Sequence, residues 1–311
     1  MPNPVLVTGA SGFVGGHIAQ ACVAAGDEVV GLSSSGVTRA GTGLACDLLD
    51  AAATRRAIAD LQPSVVHHFA ALASTGRSWQ DPVRCLVDNQ AMTWNLLESV
   101  KQEAPNAVVL IAGSGESYGK PQSLPIDESH QLAPATPYAL AKTASDLTGG
   151  LFAEAHGLKV VRARGFNHAG PGQAGEFLIG SLVAQVAAAV KEGKPSVTLR
   201  TGTAAIRRDY TDVRDAAVAY RALALGGHAE IVNICAGRSA STAEIVGLVR
   251  EAAAGQVEVL HEVDPSLVRP HETAEVVGDP TRVRQLVGWA ATTPLSATVA
   301  DSLNYALSEA G

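Results

Sequence analysis

Residues 5–18, VLVTGASGFVGGHI, decide the fold of this chain. An apolar, β-branched run ends at Thr8, and Gly9, Gly12 and Gly15 follow at three-residue spacing before an apolar helical pattern. Gly9 suits a tight turn, Gly12 lets backbone approach a pyrophosphate, and Gly15 permits close helix–sheet packing. The helix start adds unpaired amides and the positive end of its dipole, both suited to phosphate. In this strand–turn–helix setting the pattern reads as a dinucleotide cradle rather than an ordinary turn.

The pattern continues outward from that cradle. Strands are expected at 4–9, 27–33, 64–70, 107–113 and 158–164, with helices near 13–25, 51–61, 82–104 and 137–156. This alternation predicts an α/β fold, a doubly wound Rossmann sheet of parallel strands with helices on both faces. Ligands in such sheets bind at the carboxyl ends of the strands, here Gly9, Ser33, Ala70, Ser114 and Asn167. Residues 168–178, HAGPGQAGEFL, read as a loop. A helix near 177–192 follows, and AEIVNICAG (229–237) reads as a strand returning to the main sheet. We therefore expect a dinucleotide-binding domain over 1–167, with about 207–236 returning to it, and a smaller interleaved α/β substrate domain over 168–311.

Composition excludes several classes. The chain has 311 residues, 47% hydrophobic and 17% charged, with a net charge of −7 and no long basic run. A nucleic-acid partner is therefore not expected. Four scattered cysteines, without CxxC spacing, argue for a reducing compartment and against a disulfide framework or zinc site. Nine histidines form no HxxxH pair, so no metal is expected. No secretory leader or long apolar span is evident, and the expectation is a cytoplasmic protein without a membrane partner.

The second strand bears on cofactor choice. An NAD site places a carboxylate about 20 residues past the glycines for the ribose 2′-OH. That position is Ser33, in GLSSSGVTRA, with Arg39 downstream. Nothing there repels a 2′-phosphate, and Ser33, Ser34 or Arg39 can meet it, so NADPH is expected with NAD as the alternative. Asp47, in CDLLD, reads either as an adenine contact or as a helix N-cap.

TPYALAK puts Tyr138 and Lys142 four residues apart, on one face of a helix. A free tyrosine, with a pKa near ~10, is a poor acid at neutral pH. A neighbouring ammonium is expected to lower that value. Ser114, at a strand end, is placed to bond a substrate oxygen beside the phenol.

Together, VTGASGFVG, HHFAAL, DNQAMTWNLLES, Ser114 and YALAK resemble the extended short-chain dehydrogenase/reductases that act on nucleotide sugars. The resemblance implies Ser114, Tyr138 and Lys142 as the catalytic set, with Lys142 also holding the nicotinamide ribose. It implies that Asn89 braces the active-site helix and that Phe69, Ala70 and Ala71 line the cofactor cleft. Phe13, Val14 and Leu48 complete the expected cofactor contacts. ARGFNHAGPGQ, RRDYTDVRD, VNICAG, VRPHE and GDPTRVRQLVGW are similar to the branch of GDP-mannose 4,6-dehydratases and GDP-6-deoxy-mannose reductases. Carried over, Asn167, Arg208, Arg269 and Glu272 bind the sugar nucleotide. The arginines suit a pyrophosphate through forked, charge-assisted bonds, and Glu272 suits ribose hydroxyls. Arg207 and Arg214 read better as structural charges. One departure is Gly165, where the family's RPFN run has proline. The family also implies a homodimer through helices 82–104 and 137–156, whose outward residues are expected to include Leu86, Trp94, Leu97 and Leu147.

AGSGESYGK (112–120) bears on the reaction. Eliminating water from a sugar needs an acid for the leaving hydroxyl and a base for the C5 proton. Gly115 protonates nothing, and Glu116 reads as a base, a substrate contact or a structural carboxylate. The expectation is an NADPH-dependent reductase of a nucleotide-linked 4-keto-6-deoxyhexose, GDP-linked first. The alternatives are a dTDP-linked 4-ketosugar reductase, a 4,6-dehydratase or epimerase, and a non-catalytic dinucleotide sensor.

Overall fold

The computed structural model describes residues 3–227, 230–268 and 272–308. Its first half runs β1 (Val5–Thr8), α1 (Phe13–Ala24), β2 (Val29–Ser33), β3 (Thr42–Ala45), α2 (Ala51–Leu61) and β4 (Val65–His68). Then come α3 (Thr75–Ser78), α4 (Pro82–Glu103), β5 (Val108–Ser114), a 3-10 turn (Gly115–Tyr118), α5 (Pro137–His156) and β6 (Lys159–Gly165). The caps explain where helices begin. Thr136 accepts from Ala139 N at 3.0 Å and Pro137 fills the first turn of α5, while Gly157, left-handed at φ 69, ends it.

The second half contributes β7 (Asn167–Ala169), α6 (Leu178–Lys191), β8 (Ser196–Thr201), β9 (Arg207–Asp212), α7 (Val213–Gly226) and β10 (Ile231–Ile234). After them lie β11 (Ser239–Ser241), α8 (Thr242–Ala252), β12 (Glu258–Val263), β13 (Glu275–Val276), α9 (Thr281–Val287) and α10 (Leu295–Ser308). Among the described residues, no helix is long and apolar enough to cross a membrane.

Seven parallel strands form the main sheet in the order β10-β6-β5-β4-β1-β2-β3. The strand from 229–237 thus returns beside β6, as its sequence anticipates. The order reverses between β1 and β4, which opens a crevice above their carboxyl ends. One face buries Val5, Val7, Leu110 and Val161 with α1 and α7; the other buries Leu6, Val66, Val109 and Ile111 with α4 and α5. A third core, from α6, α8 and α10, supports the small sheets β11-β9-β13 and β12-β8.

Three expectations change. Edge strand β3, TGLA, is unexpected because it lacks a β-branched run and stays largely exposed. The segment expected as a loop at 168–178 begins as strand, since β7 pairs with β9 through Asn167–Tyr210, His168–Thr211 and Ala169–Asp212. Leu97 faces inward, fully buried in the core, while Trp94 and Leu147 are 45% and 53% exposed and Leu86 is half-buried.

Candidate active site

At the crevice, the Gly9 turn (φ 71) comes so close to β4's exit that a Cβ would lie 2.8 Å from Ala70 N. A Cβ on Gly15 would lie 2.4 Å from Gly9 O, so both positions are sterically reserved for glycine. Gly12 caps α1 without a side-chain bond, leaving the helix's first amides to a ligand. Phe13 and Val14 flank that turn, half-buried. These features fit a dinucleotide's phosphates.

The expected adenosine side is less uniform. The Ser33 hydroxyl donates to Val37 O at 2.8 Å and closes the loop after β2. Arg39 extends along Gly16 of α1 to Gly172, away from that turn. Asp47 caps no helix: it closes a turn to Leu49 N at 3.0 Å, and Asp50 caps α2 through Ala52 N and Ala53 N at 2.9 Å. Leu48 is buried beside it.

The expected catalytic side chains converge. The capped start of α5 brings Tyr138 over the end of β5, where its phenol comes near the Ser114 hydroxyl. Ser114 is buried and also accepts from Glu116 N at 3.1 Å. One turn on, Lys142 Nζ donates to Ala112 O at 2.8 Å. Burial pushes the Lys142 ammonium down to about 8. The expected lowering of the Tyr138 pKa is not found here. Burial, then the Glu116 charge, raise it and outweigh the Ser114 bond, while the ammonium is engaged with a carbonyl. Glu116 itself accepts from Thr75 Oγ1 of α3 at 3.0 Å and from Thr136 Oγ1 at 3.5 Å.

Sequence reasoning misses the polar chain beneath this site. Thr8 Oγ1 accepts from Phe69 N and Ala70 N and meets His68 Nδ1 at 3.0 Å. His68 Nε2 meets Thr93 Oγ1 at 3.2 Å, and Thr93 donates within 2.9 Å of Ser145 Oγ on α5. Burial, then Lys142, hold the imidazole near a pKa of about 3, so the ring is neutral. The network then has Thr8 donating to Nδ1 and Nε2–H donating to Thr93. Asn89 does not reach α5; it pins Leu72, accepting from its N at 2.7 Å and donating to its O at 3.3 Å. That bond shapes the Phe69–Leu72 wall, with Ala71 half-exposed on it, and Thr93 supplies the tie to α5. The only local signal was the histidine pair at the end of β4.

Gly165 lies directly opposite Ser114 in the sheet. A Cβ there would lie 2.5 Å from Tyr220 OH and 2.8 Å from His168 Nε2, which meet each other at 2.8 Å. Glycine in place of the family's proline therefore makes room for this pair. On the smaller sheet Asn167 is exposed, in register with Tyr210 two residues past Arg208. Arg208 donates to Thr273 O at 2.9 Å and pairs with Glu272 at 3.6 Å, so these two expected residues meet. Arg269 lies outside the described residues. Arg207 pairs with Glu244 and Glu275, and Arg214 with Asp212 and Asp301, as structural charges do.

Comparison with known proteins agrees with this geometry. The chain is 32% identical over 295 residues to GDP-6-deoxy-D-mannose reductase from Pseudomonas aeruginosa, covering 93% of this chain and 92% of the relative. The structure of RMD from P. aeruginosa complexed with NADPH superposes with a TM-score of 0.85 at 31% identity, covering 98% of this chain and 99% of that one. UDP-glucose 4-epimerase from Thermus thermophilus, complexed with NAD, gives 0.85 at 29% identity, with 98% and 99% covered. Residues 6–302 match the family described as GDP-mannose 4,6 dehydratase. With the glycine cradle, the Ser114–Tyr138–Lys142 cluster and the seven-stranded sheet all in place, the chain belongs to that family, within the NAD-dependent epimerase/dehydratase superfamily.

Proposed function

We propose that this protein reduces a nucleotide-linked 4-keto-6-deoxyhexose with NADPH, the GDP-linked sugar being the favoured substrate. The observation that carries the reading is Gly115. A Cβ at this position would lie 3.0 Å from the Phe166 ring, a tight contact, and glycine itself presents no side chain beside Glu116. The elimination reaction of the family needs an acid beside its base. Here Gly115 supplies no acid at that position, and a side chain there would press on the Phe166 ring. Thr75 and Thr136 donate to the Glu116 carboxylate, as neighbours of a structural carboxylate do. A ketoreduction requires only a hydride, a proton and a polarised carbonyl.

NADPH supplies the hydride when bound in the crevice, with its phosphates at the α1 amides. Tyr138 passes its phenolic proton to the sugar O4, and Ser114 donates to the same oxygen as it gains charge. The raised Tyr138 pKa keeps that proton in place at neutral pH. Lys142 orients the nicotinamide ribose from its place one turn beyond Tyr138. Arg208, Arg269, Glu272 and Asn167 are the proposed contacts of the sugar nucleotide. The absence of a carboxylate at Ser33 favours NADPH over NADH.

The direct test incubates enzyme, NADPH and enzymatically generated GDP-4-keto-6-deoxymannose. The expected result is stoichiometric loss of 340-nm absorbance, at least about tenfold more efficient than with NADH, which is 1.4 kcal/mol. GDP-mannose dehydrated without net cofactor consumption would overturn the reading, as would epimerised UDP-glucose; turnover of a dTDP-linked ketosugar alone would move the substrate assignment. If Lys142 acts in its charged form, kcat/KM holds level below about 8 and declines above it, because the rising pH removes its proton. A level profile to about pH 10, where an unperturbed lysine titrates, would remove Lys142 from that role.

The protein is further proposed to be a homodimer through α4 and α5. Val83, Val87, Trp94, Leu140, Leu147 and Leu151 are 45–69% exposed on these adjacent helices. Light scattering at micromolar concentration is expected to return twice the chain mass, and Leu147→Glu to return the monomer.

A further inference from the structure

Arg39 points to a second site. Its side chain crosses α1, where a Cβ on Gly16 would lie 2.3 Å from Arg39 Cδ, and reaches Gly172, where a Cβ would lie 2.9 Å from Arg39 Nη1. The guanidinium faces a cavity of about 320 Å³, within the range of small-ligand sites. Gly172 and Gln173 of the loop after β7, Val183 of α6, and Ser302 and Tyr305 of α10 form its walls. Arg39 is the one charged side chain among these described lining residues. Gln173 donates Nε2 to His168 O at 2.7 Å, which fixes its amide in the wall. The cavity is separate from the crevice, for none of Gly9, Gly12, Ser114, Tyr138 or Lys142 lines it.

We propose that this cavity binds a small sugar phosphate. The guanidinium fork matches phosphoryl oxygens, and Val183 with the Tyr305 ring offers an apolar wall for the sugar face. Arg39 belongs to the dinucleotide-binding half, whereas α6 and α10 belong to the second lobe, so an occupant ties the lobes together.

The probe is glucose 6-phosphate, added at about 10 mM to enzyme saturated with NADH or, separately, with NADPH. The expected result is a melting-temperature rise of about 2 °C or more with either cofactor, larger than that with inorganic phosphate. Arg39→Gln and the cavity-filling Ala184→Phe are each expected to remove the rise. The melting temperature of each variant without ligand verifies its folding. No rise in wild type, or an equal rise in Ala184→Phe, overturns the proposal. A rise with NADH that vanishes with NADPH also overturns it, because Arg39 would then serve the cofactor's 2′-phosphate.

Discussion

Tyr138→Phe is expected to lower kcat at least 100-fold while NADPH affinity stays within about twofold, the loss lying in the ~10²–10⁴ range of general acid–base groups. The substitution removes a single oxygen. The phenyl ring keeps its place at the start of α5, and the Lys142–Ala112 bond does not depend on the hydroxyl. Lost with the oxygen are the transferable proton and the phenol's interaction with the Ser114 hydroxyl. The raised pKa sharpens the expectation. In a reductase the tyrosine must arrive protonated, and a buried phenol near the Glu116 carboxylate does so across the neutral range. Stopped-flow hydride transfer against fluorescence titration of NADPH separates the two effects. A variant with more than about a tenth of the wild-type rate would take the proton-donor role from Tyr138.

The features readable from sequence were those encoded within a few residues. Gly9, Gly12 and Gly15 follow one strand and open one helix, so their meaning travels with local pattern. Tyr138 and Lys142 share a face through helical periodicity alone, and the helix that carries them is bounded by its own Thr136, Pro137 and Gly157. The missing parts depend on distance along the chain. Thr8, His68, Thr93 and Ser145 come from β1, β4, α4 and α5, and only the sheet order brings them together. Thr75 meets Glu116 across 41 residues. Arg39 reads as a partner of Ser33 because they are neighbours in sequence, yet its side chain runs past Gly16 to Gly172. The Tyr138 pKa was misjudged for the same reason. Its spacing to Lys142 is local, whereas its burial and the approach of Glu116 are properties of the folded site.

Arg164→Met is expected to cost about 3–5 kcal/mol of stability, the usual penalty for removing one member of a buried ion pair. Arg164 and Asp146 are 3% and 1% exposed and joined at 2.8 Å. Arg162, at 3.8 Å, is the other cation near that carboxylate, too distant to hydrogen-bond it. The Arg164 guanidinium also donates to Tyr118 OH at 3.0 Å, and Tyr118 in turn donates to Asn233 Oδ1 of β10 at 2.8 Å. Asp146 lies one turn beyond Lys142 on α5, and Tyr118 ends the 3-10 turn that begins just after Ser114. One guanidinium therefore ties the helix bearing Tyr138 and Lys142 to the turn bearing Glu116. Turnover below the melting transition is expected to fall with stability, through loss of register between Ser114 and Tyr138. Pairing the change with Asp146→Leu removes the stranded charge as well as its partner. Because an apolar pair of similar volume is often neutral or better, the double variant should regain most of the melting temperature. It should not regain the turnover, since the link to Tyr118 stays broken. Denaturant titration of the two variants, with kcat measured at 25 °C, decides the matter. A single variant within about 1 kcal/mol of wild type, at the level of an exposed pair, would show that α5 is held by its apolar packing alone.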